Sequence, residues 1–179
     1  PSQSEYYFRM VNPDFSPTLL YAEVAKETAG IHIAQPGEYE ESDPGLQPSD
    51  DGKVKADWGL QLDKQASGGA YLASDKPSAT MLITFYGTSI HLKMIEAPNA
   101  GQAYVSIDGS STAPNKLKRN SDGKAVLDLY SPQKQYQVDV DIADGLSFDK
   151  HVLQLTVSGQ KSPASQDAFV FVDGFTVGD

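Results

Sequence analysis

Beyond residue 58, apolar and polar positions alternate with a period of two. Ile90, Leu92 and Met94 are interleaved with His91 and Lys93, and Ala103, Val105 and Ile107 with Tyr104, Ser106 and Asp108. Tyr136, Val138, Val140 and Ile142 alternate with Gln137, Asp139 and Asp141, and Leu153, Leu155 and Val157 with Gln154 and Thr156. Successive strand side chains point to opposite faces, so each set predicts a strand with one buried and one wet face. Residues 80–86 and 169–172 are apolar on both faces and predict strands covered on both sides. Gly87, Asp108-Gly109, Asp122-Gly123, Asp144-Gly145 and Ser158-Gly159 supply turn chemistry between the runs. Eight to ten short strands without a convincing long helix predict an all-β antiparallel β-sandwich.

The first third reads differently. Residues 6–11 form a possible strand, and Pro13 and Pro17 then punctuate the chain, so 1–18 is expected to be an arm or linker. Residues 19–24 and 30–34 read as short strands; 21–28 has a weaker helical alternative. The stretch 35–57 is dense in Pro, Gly and acidic residues and predicts a long acidic loop, of the kind that is mobile or functional in compact domains. The predicted organisation is therefore one domain over 19–179, preceded by the arm.

Composition narrows the function classes. With 24 acidic and 14 basic residues, the net charge of −10 opposes binding to a phosphate backbone, so nucleic acid is not an expected partner. No apolar run is long enough to predict a membrane span. Cysteine is absent, which excludes disulfides, thiolate metal sites and a cysteine nucleophile. The chain opens on Pro1 with no basic start or apolar leader, as a mature or excised fragment would. An exported bacterial domain is compatible with all of these features.

Several fragments, in order, resemble the galactose-binding-like jelly roll, and within it the calcium-bearing carbohydrate-binding modules. They are Tyr21-Ala22-Glu23, the Ala66-Ser67-Gly68-Gly69-Ala70-Tyr71 run, and Val172-Asp173-Gly174-Phe175. Between them, 85–90, 104–109, 126–130 and 151–159 match the usual strand order, so the resemblance covers roughly 19–179. It implies a jelly-roll fold and a surface that binds polysaccharide or other glycan. Two departures stand out: the 35–57 insertion is long, and the first strand carries one glutamate where two are common.

Asp173 shares parity with Phe169, Phe171, Phe175 and Val177. If that face is inward, a carboxylate lies among aromatic rings, and an ionised buried carboxylate needs a partner or a metal. Calcium takes six to eight oxygen ligands and would resolve the conflict, with Glu23 and Asp173 as ligands tying first strand to last. The alternative places Val170 and Val172 inward and Asp173 at a wet strand end.

Candidate glycan contacts are Trp58, Tyr130, Glu96, Asn99 and Lys134. Trp58 is the only tryptophan, able either to stack on a sugar ring or to enter the core. Tyr130 stands out of phase with Leu127 and Leu129 beside a proline turn, with Lys134 close behind it. Glu96 and Asn99 occupy another polar loop. His32, His91 and His151 lack metal-type spacing, with His91 read as solvent-facing and His151 as a satisfied structural histidine. Asp139 and Asp141 read as a wet strand face. No nucleophile elbow, phosphate loop or dinucleotide fingerprint occurs.

Together these features predict a non-catalytic carbohydrate-binding module of a secreted or cell-surface multidomain protein, with flanking domains of the same protein as further partners. A structural or adhesive module associating through the 1–18 arm is the alternative, and a hydrolase on the same scaffold a third reading.

Overall fold

The computed structural model describes residues 32–43, 46–48 and 57–179. The expectations for 1–18, 19–24 and 21–28, including the metal ligand Glu23, lie outside these residues. The chain divides into two units, and the second, Ile33–Asp179, is the one described below.

Among the described residues, twelve strands follow one another: β1 (Gly37–Glu40), β2 (Leu46–Pro48), β3 (Gly59–Leu62), β4 (Ala70–Ser74), β5 (Thr80–Gly87) and β6 (Ser89–Glu96), then β7 (Gln102–Ile107), β8 (Lys118–Arg119), β9 (Ala125–Asp128), β10 (Gln135–Ala143), β11 (Asp149–Val157) and β12 (Val170–Gly178). They form two six-stranded sheets. The first runs β10-β6-β12-β4-β3 with β1 also on β12, and the second runs β2-β5-β11-β7-β9-β8. Every pairing between these strands is antiparallel. This is an all-β jelly-roll sandwich.

The period-two runs become the strands they predict, and their apolar faces meet in one core. Ile90, Leu92 and Met94 of the first sheet and Met81, Ile83, Phe85, Leu153 and Leu155 of the second belong to it. Burying each large side chain contributes roughly 1.5–3 kcal/mol. The Asp108-Gly109 signal becomes a two-residue hairpin turn. Both residues have positive φ (52° and 73°), and Ile107 and Ser110 exchange two backbone hydrogen bonds across it.

Three expectations change. The 35–57 stretch contributes β1 and β2 rather than a continuous loop. Its acidic residues hid a strand whose outward side chains face a polar site instead of an apolar layer. Residues 80–86 are buried only at alternate positions, because the outer face of β5 is half-open to solvent. Of the strand expected over 30–34, the described part contributes a single parallel bridge, from Ala34 to Phe85.

Candidate functional site

The last strand changes neighbours midway. Val170–Val172 pair with β4, while Gly174–Val177 pair with β1. On its other side β12 pairs with β6, and that register shifts between Val172 and Gly174. Asp173 lies at both irregularities. The bulge breaks the period of two, so Val170, Val172, Asp173 and Phe175 are all fully buried (0% exposed). Neither parity anticipated from the sequence holds along the whole strand.

Asp173 projects into the gap between the end of β1 and the start of β4, where Glu40 and Glu41 meet it. One carboxylate oxygen from each of the three lies within 4.8 Å of the others. The wall is a single 3-10 turn, Ser67–Gly69. Its Ser67 N–H donates to both Asp173 oxygens (3.0 and 3.1 Å), and Ser67 Oγ donates to Glu40 Oε1 (2.9 Å). Gly68 keeps positive φ there, and a Cβ on it would stand 3.4 Å from Glu40 Oε2 and 3.6 Å from Glu41 Oε2. The Ala66–Tyr71 run singled out in the sequence thus lines an acidic cradle.

The cradle is short of positive charge. Lys93 Nζ donates to Ser67 Oγ (3.4 Å), yet among the described residues no lysine or arginine nitrogen forms an ion pair with these three carboxylates. Glu40 Oε2 and Glu41 Oε2 are shut off from solvent without a hydrogen-bond partner. Burial, followed by repulsion from Glu40 and Glu41, pushes the Asp173 carboxyl above its ordinary range despite the Ser67 N–H and the Lys93 charge. Burial and the Glu40 charge likewise raise Glu41. Orphaned buried oxygens with no nitrogen donor among them are a donor set for a hard cation. Asp173 was legible in the sequence as a candidate ligand. Glu40 and Glu41 were not, since they fell in the stretch read as an acidic loop.

A second group of polar side chains gathers at one end of the sandwich. Gln135 opens β10 as the cross-strand partner of Glu96, and its Nε2 donates to Glu96 Oε2 (3.3 Å) and Ser131 Oγ (2.8 Å). Burial and the nearby Asp128 charge raise the Glu96 carboxyl. Tyr130, half-buried, bridges Ala97 and donates its N–H to Asp128 Oδ1 (3.1 Å). Asn99 accepts the Phe169 N–H through its backbone carbonyl (3.2 Å). Phe169 stacks on Phe171, whose ring meets Tyr71 edge-on.

Lys134 stands next to this group. Its Nζ lies 4.5 Å from the Tyr136 ring centroid and 5.1 Å from that of Tyr71. It also donates to Tyr71 OH (3.3 Å) and Asp63 Oδ2 (3.4 Å). Tyr136 OH donates to the same Asp63 oxygen at 2.5 Å, and this bond, followed by the Gln65 N–H, holds Asp63 low. The fold therefore brings Glu96, Asn99, Tyr130 and Lys134 to adjoining loops, and adds Tyr136 and Asp63. Tyr136 packs against the core edge as its alternation with Gln137 predicts, and its hydroxyl reaches out to Asp63, a contact that the alternation does not record.

Trp58 does not join them. It is 6% exposed, belongs to the core, and donates its Nε1–H to the Thr80 carbonyl (3.3 Å). Its alternative role, core packing at a strand entry, is the one the structure places.

No family profile matches the chain, and no curated protein matches it. Solved structures do. A xanthan lyase from Paenibacillus aligns over 84% of this chain and 14% of its own, with 16% identity and TM-score 0.54. A two-domain esterase active on acetylated mannans, crystallised with mannopentaose, aligns over 98% of this chain and 51% of its own, with 11% identity and TM-score 0.52. At these identities the likeness is one of fold. This chain spans about half or less of either relative. Among the described residues, no helix is long and apolar enough to cross a membrane.

Proposed function

We propose that this domain is a non-catalytic carbohydrate-binding module of an exported, multidomain bacterial protein, stabilised by calcium. The observation that carries the reading is the loop end, where Tyr130 and Tyr136 stand among Glu96, Gln135, Asp63 and Lys134. The half-buried Tyr130 ring would stack on sugar C–H groups, with the Lys134–Asp63 pair, the Tyr136 hydroxyl and the Gln135 amide binding hydroxyls. Its support from fold is that similar sandwiches form part of chains named as a xanthan lyase and a mannan esterase, which makes xanthan and mannans the first ligands to test. In the cradle, Glu40, Glu41 and Asp173 would hold calcium together with backbone carbonyls, tying β1, β12 and the Ser67–Gly69 turn. The ion would supply structural charge neutralisation; no reaction is assigned to it.

Affinity electrophoresis through gels containing xanthan, mannan or other polysaccharides tests the reading. Retardation of the wild type that is lost in Tyr130→Ala or Tyr136→Ala supports it. Unretarded migration of folded protein in every gel contradicts it.

One observation favours a second reading, an adhesive module. Edge strand β3 exposes Leu60 (58%) and Leu62 (84%), an apolar strip on a sheet edge. If a neighbour's 1–18 arm adds there, removing those residues abolishes association in sedimentation, and an unchanged profile rejects the reading.

A further inference from the structure

On the outer face of the first sheet, His91 of β6 faces Asp141 of β10 as its cross-strand partner, and Asp139 stands two residues along the same strand. His91 Nδ1 lies 2.8 Å from Asp141 Oδ1 and 3.8 Å from Asp139 Oδ2. One ligand atom from each residue falls within 4.8 Å of the others. We propose that His91, Asp139 and Asp141 form a second divalent-cation site, suited to a borderline transition ion such as zinc and independent of the glycan reading.

Three observations carry this beyond a solvated acidic strand. First, His91 Nδ1 is closed to water and makes no hydrogen bond. Asp141 Oδ1 covers it at 2.8 Å as an ion-pair partner that lacks the alignment of a hydrogen bond, with Asp139 Oδ2 behind at 3.8 Å. An imidazole nitrogen aimed at two carboxylates is a nitrogen-plus-oxygen donor set of the kind zinc takes. Second, the spacing fits. Metal–ligand bonds of about 2.1 Å place tetrahedral ligands about 3.4 Å apart, and the distances of 2.8 and 3.8 Å bracket that edge. Third, the lysine across from Asp139 is engaged elsewhere. Lys93, the cross-strand partner of Asp139, donates to Ser67 beside the calcium cradle. Charges on an edge strand also discourage pairing with other chains, and an ion pair between His91 and the two aspartates needs no metal, so zinc titration decides between that pairing and the metal site.

Three protein ligands leave further positions to water, as in open zinc sites. The donor sets also separate the two sites: oxygen alone at the cradle, imidazole plus carboxylate here. Loading one should leave the other free.

Titration of the full chain with zinc chloride in calcium-saturated buffer, followed by calorimetry, tests the proposal. One zinc per chain is expected in the wild type, with at least tenfold weaker binding in His91→Ala and in Asp141→Asn. Glu41→Gln should keep wild-type zinc affinity. Cobalt substitution gives a second readout, a visible absorption band lost in His91→Ala. The side chains are partly exposed, so these variants should fold, and circular dichroism checks that they do. No zinc binding by the wild type, or unchanged binding in folded His91→Ala, overturns the proposal.

Discussion

The ring of Tyr39 stacks on that of Phe175, with centroids 4.7 Å apart and planes 11° from parallel. The two residues are also cross-strand partners in the β1–β12 pairing. This contact presses the strand that carries Glu40 against the strand that carries Asp173, and so builds the acidic cradle from packing. Gly174 makes the close approach possible, since a Cβ there would collide with the Tyr39 carbonyl.

Phe175→Ala removes a fully buried ring and should cost about 3–5 kcal/mol in urea unfolding. The same variant should lose most of its calcium response, because β1 no longer has a ring to rest on. Gly174→Ala should weaken both the aromatic stack and the calcium response, because its Cβ would push the Tyr39 backbone away. A calcium response of wild-type size in both would separate the cradle from the stack.

The pH dependence of stability should differ with and without calcium. Asp173 and Glu41 are raised in the metal-free fold. The folded state therefore binds more protons than the unfolded state above the ordinary carboxylate range, and metal-free stability falls as pH rises through the raised values. Calcium bound at the proposed site would hold the ionised forms, so its stabilisation should grow over the same interval. Unfolding midpoints measured in chelator and in calcium from pH 4 to 7, on the order of the carboxylate range upward, check this. Asp173→Asn should flatten the difference.

His151 links the end of β7 to β11. Its Nδ1 lies 2.7 Å from Asp108 Oδ2 and its Nε2 2.9 Å from the Ser147 carbonyl, an arrangement that suits the imidazolium donating both ways. Burial opposes the charge, but hydrogen bonds to Asp108 and Ser147 outweigh it and raise His151. Burial also opposes the Asp108 charge, and the bonds from His151 and the Val152 N–H outweigh it and lower Asp108. The histidine contribution is complete below its ordinary value and is lost as pH rises through the raised one. The aspartate contribution is present above its ordinary value and is lost as pH falls through the lowered one. Asp108→Asn should cost about 1 kcal/mol between those limits, since Asp108 is half exposed to solvent. It should also reduce the fall in stability across the histidine range. Denaturant melts at three pH values test both.

Trp58 is a core residue, so its emission should be blue-shifted, poorly quenched by acrylamide, and unchanged by glycan. Trp58→Phe should bind glycan as the wild type does while losing stability. A glycan-dependent change in Trp58 emission without a change in unfolding would place the binding surface elsewhere.

Much of the sandwich was legible because β6, β7, β10 and β11 each hide one face, and hydrophobic periodicity records that burial. The cradle was less so. β1 is four residues long and polar where it meets the site, so Glu-Tyr-Glu-Glu carries no apolar alternation to distinguish it from a loop. The bulge at Asp173 breaks the period of two, and bulges leave no signature in alternation. Tyr136 keeps its core-side parity, and only its hydroxyl contact with Asp63, across segments far apart in sequence, was hidden. The His91–Asp141 juxtaposition depends on strand register between segments about fifty residues apart, which local patterning does not encode.

The most direct measurement is thermal unfolding of the wild type and of Glu41→Gln in chelator, in calcium, and in calcium with each soluble polysaccharide. A ligand present at about a hundredfold its dissociation constant stabilises the fold by about 2.7 kcal/mol. The wild type should show a calcium-dependent rise and a further rise with at least one glycan, and Glu41→Gln should lose the first. A wild-type midpoint that moves with neither calcium nor any glycan would contradict a calcium-stabilised carbohydrate-binding module.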